Sequence, residues 1–340
     1  PHARPGSGWP RALNPHPREQ AQGSFHVYYR PNNLVGIIVG DFDPAEVKPV
    51  ISRYFGRLSR GAVEPPPVVT LEVPQKAEMR MYAECDCQPQ IEVRYHTVPF
   101  NHDDSFPLEM LAQILNGRTG RLYKSLVEGS QVAANASADA GGFGGPAKYA
   151  GAFSFYAEAK GDARPEDIEK GWYAVLEDLQ NNPVSERELQ KVKNRVAADS
   201  YRRLQSNFFL LVQLGLYEAL GGWEYINEAP ARLQAVTAED IQRVAKQYFA
   251  PTNRAVALYN RKAGAPTEDP ELAALDPQMK AMVKQALSQL SAVEDPAELE
   301  QAIAQMEGQA AQVPPQFKPA FDIILRKARE RLSTLQPASN

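Results

Sequence analysis

The chain repeats one short pattern, which is an aromatic pair, a spacer and a Pro-x-Asn tripeptide. The first copy is Tyr28-Tyr29-Arg30-Pro31-Asn32-Asn33 and the second is Tyr248-Phe249-Ala250-Pro251-Thr252-Asn253. Each copy continues into an apolar run, 34–39 or 255–259, which predicts a short strand. The two prolines are 251 − 31 = 220 residues apart, a spacing of domain size that is far too long for a solenoid repeat. The pattern therefore indicates a duplicated protein with two homologous lobes.

The same spacing predicts that the first lobe is incomplete. The second copy uses the 250 − 75 = 175 residues between Gln75 and Pro251, whereas only 30 residues precede Pro31. We therefore expect residues 1–58 to be the C-terminal remnant of a first lobe. We expect a Pro-rich linker over 59–75, a complete second lobe over 76–264 and a helical extension over 265–340.

Composition excludes several classes of protein. The 340 residues are 43% hydrophobic and 23% charged, which is typical of a globular protein. The net charge of −4 is spread along the chain without a basic cluster, which argues against a nucleic-acid partner. No apolar run approaches the roughly 18 residues of a transmembrane helix. Cys85 and Cys87 would share one face of a strand, which is a poor geometry for a mutual disulfide. Two thiols without a second pair or a His at ligand spacing are also a poor soft-metal site.

The order of periodic segments predicts the fold class. Strands are expected over 77–83, 90–96, 131–138 and 148–158, with helices over 106–115, 121–127 and from Pro165 to 182. This order indicates an α+β fold, with helices packed on one face of a largely antiparallel sheet. The tail from residue 265 contains amphipathic helices. They are interpreted as packing within the chain, and a partner-docking element is the alternative.

Helix starts are marked by capping residues. Asp43 followed by Pro44 predicts one helix start. Ser185 and Glu188 form a capping-box pattern at the start of a single long helix that reaches Leu220, and Thr237 with Asp240 forms a weaker one. The sequence Gly141 to Gly145 predicts a flexible loop between strands, because it lacks the Lys-Ser/Thr ending of a phosphate-binding loop.

Several motifs in order resemble the M16 family of zinc metallopeptidases, which includes insulinase, pitrilysin and the mitochondrial processing peptidases. The motifs are the aromatic pair with Pro31-Asn32, then Gly40-Asp41-Phe42-Asp43-Pro44, then Tyr54-Phe55-Gly56, and later Gly120-Arg121-Leu122-Tyr123. The resemblance covers residues 1 to 262. It implies paired LuxS/MPP-like lobes around a chamber in which zinc, held by an inverted His-x-x-Glu-His motif, cleaves peptides.

That zinc motif is not found in this sequence. The nearest match is His16-Pro17-Arg18-Glu19-Gln20, in which Gln20 replaces a ligand and Pro17 interrupts the helix. His2, His26, His96 and His102 are scattered along the chain. We therefore expect no catalytic residue and no metal ligand here, with zinc supplied by the missing N-terminal lobe or by a partner chain that carries the motif.

A second family element is also replaced. The non-catalytic lobe of many M16 enzymes presents an Arg and a Tyr seven residues apart toward the substrate carbonyl. Val127 and Ala134 occupy those positions here. Neither side chain donates a hydrogen bond to an oxyanion. Arg121 and Tyr123 lie nearby, and both are interpreted as helix-surface residues.

These observations predict the C-terminal part of an M16-type zinc metalloendopeptidase. It would form the chamber wall and a substrate-selection surface for peptide or unfolded polypeptide, and would be inactive alone. The alternative is a non-catalytic M16-like subunit or scaffold that partners an active chain or a larger complex. A peptide-binding module without an enzyme partner is a third possibility. A bacterial periplasmic or secreted location is suggested by the resemblance only.

Overall fold

The computed structural model describes residues 18–68, 73–141, 147–262, 270–273, 275, 277–293, 295–310, 313 and 317–335. The chain divides into two compact units. The first unit is Pro1–Ala83 with Gln90–Leu258, and the second is Glu84–Pro89 with Tyr259–Asn340.

The first unit begins with two helices and then alternates strands and helices. The helices are α1 (Arg18–Tyr28), α2 (Pro44–Phe55), α3 (Ser105–Leu115), α4 (Pro165–Asn181), α5 (Glu186–Leu204), α6 (Asn207–Leu220), α7 (Tyr225–Ala235) and α8 (Ala238–Tyr248). The strands are β1 (Met79–Cys85), β2 (Gln90–Thr97), β3 (Ala133–Ala140), β4 (Gly151–Ala159) and β5 (Arg254–Arg261). Short 3-10 turns cover Pro31–Asn33 and Pro251–Asn253, and a π-helix covers Tyr123–Gly129.

The five strands form one sheet in the order β1-β5-β2-β4-β3. The pairs β2 with β4 and β4 with β3 are antiparallel. At one end of β1, Glu78 bonds Arg254, and at the other end the Cys85 carbonyl accepts from Lys262 N at 2.9 Å. These contacts show that β1 runs parallel to β5. The sheet therefore contains both parallel and antiparallel strand pairs. The predicted α+β class is confirmed.

One face of the sheet holds the core. Along β2 the buried residues Ile91, Val93 and Tyr95 alternate with partly exposed ones, as expected for a sheet covered on one side. Trp172 on α4 is fully buried, and its ring stacks on Phe155 of β4 with centroids 4.4 Å apart. The predicted packing of helices on a sheet face therefore rests on large, closely packed aromatic side chains.

Side-chain caps form at several helix starts. The Asp43 side chain accepts from Ala45 N at 2.7 Å, and the Ser185 side chain accepts from Glu188 N at 3.3 Å. The reciprocal capping box forms at Thr237 and Asp240, although the sequence ranked it as the weaker one. The predicted single helix from Ser185 to Leu220 is wrong. Ser206 is extended and caps a new helix, so α5 and α6 are separate.

The expectation that Cys85 and Cys87 do not pair is also wrong. The two residues form a disulfide, with Cα atoms 5.2 Å apart. Because β1 ends at Cys85 and Cys87 lies in the following bend, the backbone between them is not an extended strand, and the two Cα atoms come within disulfide distance. A metal site at these thiols is excluded while the disulfide is intact.

The predicted strand over 34–39 does not form. Leu34 has the extended conformation, but residues 34–39 pair with no other strand in the described part of the chain. Leu34 and Ile38 remain 58% and 54% exposed. A strand needs a neighbour for its backbone hydrogen bonds, and no local pattern supplies one. The Gly141 to Gly145 loop lies outside the described residues except for Gly141.

The second unit is helical. Its helices are α9 (Pro270–Ala273), α10 (Pro277–Ala292), α11 (Pro296–Gln309) and α12 (Lys318–Leu335). One small hydrophobic core contains Leu272, Val283 and Ala320, and another contains Leu299, Ile303 and Ala328. Asp295 caps α11 by accepting from Ala297 N at 2.9 Å. No helix in the described ranges has the length and apolar character needed to span a membrane.

Candidate functional site

A polar cleft opens on the first unit between α3, the end of β3 and the helices α5, α6 and α7. Its volume is about 340 Å³. Its lining includes the polar or charged side chains of Glu109, Asn116, Asp139, Asp199, Arg203, Tyr217 and Tyr225. They come from segments more than 100 residues apart, so the cleft exists only in the folded lobe.

Glu109 is the carboxylate that α3 contributes to the cleft. It lies on α3 in an otherwise apolar stretch and is only partly accessible to solvent. Burial raises the pKa of Glu109, the positive charge of Arg203 lowers it in part, and the charge of Asp139 raises it further. The cleft therefore contains a carboxyl group that favours its neutral form more than a free glutamate does.

The edge strand of the sheet adjoins the cleft. β3 is the last strand in the sheet order, so one side of its backbone faces away from β4. Asn116 covers part of that side. Its Nδ2 donates to the Ala138 carbonyl at 2.6 Å, and its Oδ1 accepts from Ala138 N at 2.9 Å. The amide side chain thus pairs with Ala138 as a neighbouring strand would.

Val127 and Ala134, which stand at the family Arg and Tyr positions, do not line this cleft. Val127 lies in the π-helix, is half-buried and packs against the main core. Ala134 is exposed at an irregularity near the start of β3. Each position is therefore separate from the group around Glu109.

Arg121 is held by structural ion pairs. Its Nη1 lies 2.6 Å from Asp178 and its Nη2 lies 2.9 Å from Glu188. These pairs join the segment before the π-helix to α4 and α5. They confirm the interpretation of Arg121 as a helix-surface residue. They also neutralise one of the four cationic side chains that line a second depression of about 920 Å³, the others being Lys124, Arg187 and Lys191.

No metal centre is built by the side chains that the structure describes. Among those residues, no three His, Cys, Asp or Glu side chains are grouped closely enough to hold an ion. Of the sequence candidate, His16 and Pro17 lie outside the described residues, and Glu19 and Gln20 lie on α1.

The chain matches the family described as "Peptidase M16 inactive domain" over residues 17–196, which is more than half of its length. The chain belongs to this family. The resemblance inferred from the sequence motifs is therefore confirmed at the level of family and fold class.

Individual relatives share the fold at low sequence identity. "Zinc protease PqqE" of Helicobacter pylori is 23% identical over 233 residues, covering 67% of this chain and 52% of the relative. A solved protease from Helicobacter pylori matches with a TM-score of 0.68 and 21% identity, over 74% of this chain and 61% of that one. A solved M16 inactive domain from Pseudomonas fluorescens matches with a TM-score of 0.64 and 15% identity, over 78% and 62%. The chain spans about half the length of the curated relative.

Sequence reasoning did not identify the cleft. Glu109 carried the one available signal, since it is a carboxylate within the apolar helix Ser105–Leu115. The sequence around Asn116 and Arg203 contains no signal of the cleft, because both residues contribute to it only through partners that are distant in sequence.

The raised pKa of Glu109 predicts a gain in stability when its charge is removed. Because the folded-state pKa lies above the unfolded one, protonated Glu109 stabilises the fold, and this contribution is lost as pH rises through the folded pKa. Glu109→Gln should therefore have a larger free energy of unfolding than wild type at pH 7.5, and the difference should shrink toward pH 4. Urea denaturation at both pH values measures this. Glu228→Gln, at an exposed position on α7, is the control and should show no such pH-dependent gain.

Proposed function

We propose that this chain is the C-terminal part of an M16-type zinc metalloendopeptidase, in which its sheet-containing unit forms a chamber wall and helps select the substrate. The observation that carries the proposal is the polar cleft beside the edge strand β3. An edge strand binds an extended peptide through its backbone, and nearby side chains supply selectivity. Arg203 would favour acidic side chains, while Glu109 and Asp139 would favour basic ones.

Zinc chemistry is assigned to another lobe or chain. The described residues contain no ligand set for a catalytic ion, and Val127 and Ala134 provide no donor for an oxyanion. The catalytic partner would be a lobe or subunit that carries His-x-x-Glu-His. We therefore expect the 340-residue chain alone to bind no stoichiometric zinc and to cleave no peptide.

Reconstitution tests this function. The purified chain is mixed with the His-x-x-Glu-His polypeptide encoded upstream or by a neighbouring gene, and hydrolysis of an unfolded polypeptide is followed by mass spectrometry. Cleavage is expected only in the mixture. A stable, zinc-loaded mixture without cleavage would contradict the proposal and favour the scaffold alternative. Stoichiometric zinc on the 340-residue chain would contradict the assignment of the metal.

The proposed role in substrate selection is tested separately, by the KM for acidic peptides. Arg203→Ala in the reconstituted enzyme should raise KM for acidic peptides by about fivefold, the value of a solvent-accessible ion pair, with zinc content unchanged. Arg187→Ala, exposed on the same helix outside the cleft, is the matched control. Equal KM values for the two variants would show that the cleft does not contribute to substrate selection.

A further inference from the structure

The disulfide between Cys85 and Cys87 lies within the second compact unit, to which residues 84–89 belong. Only Asp86 separates the two cysteines, so the bond closes a loop of three residues. In the chain-entropy account, a disulfide stabilises a fold by restricting the unfolded chain, and this effect grows with the length of the closed loop. The bond therefore contributes less to stability than the long-range disulfides of small secreted domains do.

The bend that contains the disulfide is held by hydrogen bonds that do not involve sulfur. The Cys85 carbonyl accepts from Lys262 N at 2.9 Å, and the Cys87 carbonyl accepts from Arg261 Nε at 3.3 Å. Arg261 Nη2 also donates to Gln88 Oε1. These contacts attach the bend to the end of β5. They do not depend on the S–S bond, so we expect the reduced chain to keep the same backbone structure.

Both cysteines can be reached by a thiol in solution. Cys85 and Cys87 are partly exposed, and Asp86 between them is exposed. Exposed disulfides exchange with external thiols, whereas structural disulfides in secreted proteins resist reduction. The bond therefore combines access from solvent with a small structural contribution.

The two sulfur atoms have different surroundings. The Cys85 sulfur lies 3.8 Å from the Asn260 carbonyl oxygen, whereas the Cys87 sulfur makes no hydrogen bond with the residues that the structure describes. A carbonyl oxygen repels an incoming thiolate, and it accepts a hydrogen bond from a thiol. This arrangement favours attack on Cys87 and release of Cys85, whose new thiol would donate to Asn260.

We propose that Cys85 and Cys87 form a reversible thiol–disulfide exchange site that accepts two electrons from a dithiol, such as the Cys-x-x-Cys pair of an oxidoreductase. A thiolate of the dithiol attacks Cys87 Sγ, and the S–S bond breaks with its electron pair on Cys85 Sγ, which takes a proton from water. The second thiolate of the dithiol then displaces Cys87 Sγ from the mixed disulfide, and Cys87 takes the second proton. The dithiol becomes a disulfide and has lost two electrons and two protons. No zinc or peptide hydrolysis is involved, so this inference is independent of the proposed function.

Alkylation followed by mass spectrometry tests the exchange. The purified 340-residue chain is treated with equimolar dithiothreitol under native conditions and then alkylated. We expect both cysteines to be alkylated, the circular dichroism spectrum to stay that of the folded chain, and oxidised glutathione to restore the disulfide. Reduction only after unfolding in urea would show an inaccessible structural bond and would overturn the proposal. Loss of the folded spectrum on reduction would also overturn it.

Removing both sulfur atoms tests the structural alternative. The double variant Cys85→Ser with Cys87→Ser should lower the urea midpoint by at most about 0.5 M, because a three-residue loop restricts the unfolded chain little. The hydrogen bonds of Arg261 and Lys262 should still hold the bend. A drop several times larger would assign the disulfide to structure and contradict the proposal.

The charge of Asp86 tests the site of attack. Asp86→Asn should speed reduction by glutathione by about threefold, because a carboxylate beside the attacked sulfur repels the anionic thiolate. Asp162→Asn, at an exposed aspartate in a turn, is the matched control and should react as wild type does. The glutathione mixed disulfide, trapped in acid, should map to Cys87. Equal rates for the two variants, or a mixed disulfide on Cys85, would overturn the assignment of Cys87 as the attacked sulfur.

Discussion

Replacing Trp172 with alanine is expected to lower the free energy of unfolding by about 3–5 kcal/mol, the usual cost of removing a large buried aromatic side chain. Trp172 is fully buried and stacks on Phe155 with an interplanar angle of 3°. Its Nε1 donates to the Tyr95 hydroxyl at 3.3 Å. The substitution therefore removes packing between α4 and the sheet and takes one donor away from the Tyr95 hydroxyl. Urea denaturation monitored by circular dichroism measures the loss.

Trp223→Ala is the matched control for this prediction. Trp223 follows α6 and is 48% exposed, so its loss should cost less than about 1 kcal/mol. Equal losses for the two variants would contradict the assignment of Trp172 to the centre of the core.

Replacing Glu169 with alanine should lower the free energy of unfolding by about 2–3 kcal/mol. Both Glu169 oxygens accept from Arg80, at 2.7 and 3.0 Å, and the Tyr173 hydroxyl donates to Oε1 at 2.6 Å. Removal leaves Arg80 and the Tyr173 hydroxyl without this acceptor. This loss of stability is smaller than the loss expected for a fully buried ion pair. The Arg80 side chain is 27% exposed, and in the variant it still has its ion pair with Glu78, at 2.9 Å.

The pH dependence of that loss follows from the pKa of Glu169. Burial alone would raise this pKa, but the hydrogen bonds from Arg80 and Tyr173 and the charge of Arg80 lower it below its ordinary value of 4.5. A lowered folded pKa means that the carboxylate stabilises the fold above pH 4.5, and that this contribution is lost as pH falls through the folded pKa.

The difference in the free energy of unfolding between wild type and Glu169→Ala should therefore be largest at pH 7 and should shrink as the pH falls through the folded pKa of Glu169. Glu177→Ala, at an exposed site on the same helix, is the control and should change the free energy of unfolding little at either pH. A gap that stays constant with pH would show that the carboxylate charge is not the source of the loss.

The sequence predicted features whose causes are local. The caps at Asp43 and Thr237 formed as expected, because a side chain and a backbone amide two or three residues apart need no distant partner. The strand predicted over 90–96 formed as β2, with Ile91, Val93 and Tyr95 alternating on its buried face. The break between α5 and α6 was missed because Ser206 lies in an otherwise helical pattern, where only its backbone conformation shows that it is a cap.

Features that depend on distant residues were missed or misjudged. Residues 34–39 have the composition of a strand but form none without a neighbour. Asn116 closes part of the β3 edge only because the fold brings Ala138 beside it, 22 residues later. The carboxylates Glu109 and Asp139 come together with Arg203 in one cleft for the same reason. Local periodicity contains no information about such contacts.

The sequence by itself determined the α+β class and membership of the M16 family, since these depend on ordered motifs and on side-chain periodicity within single elements. The tertiary structure decided which strand edges are paired, which carboxylates share a cleft and which apolar surfaces remain uncovered. Those properties are set by burial and hydrogen bonding between segments up to 100 or more residues apart, and such pairings form only when the whole lobe is packed.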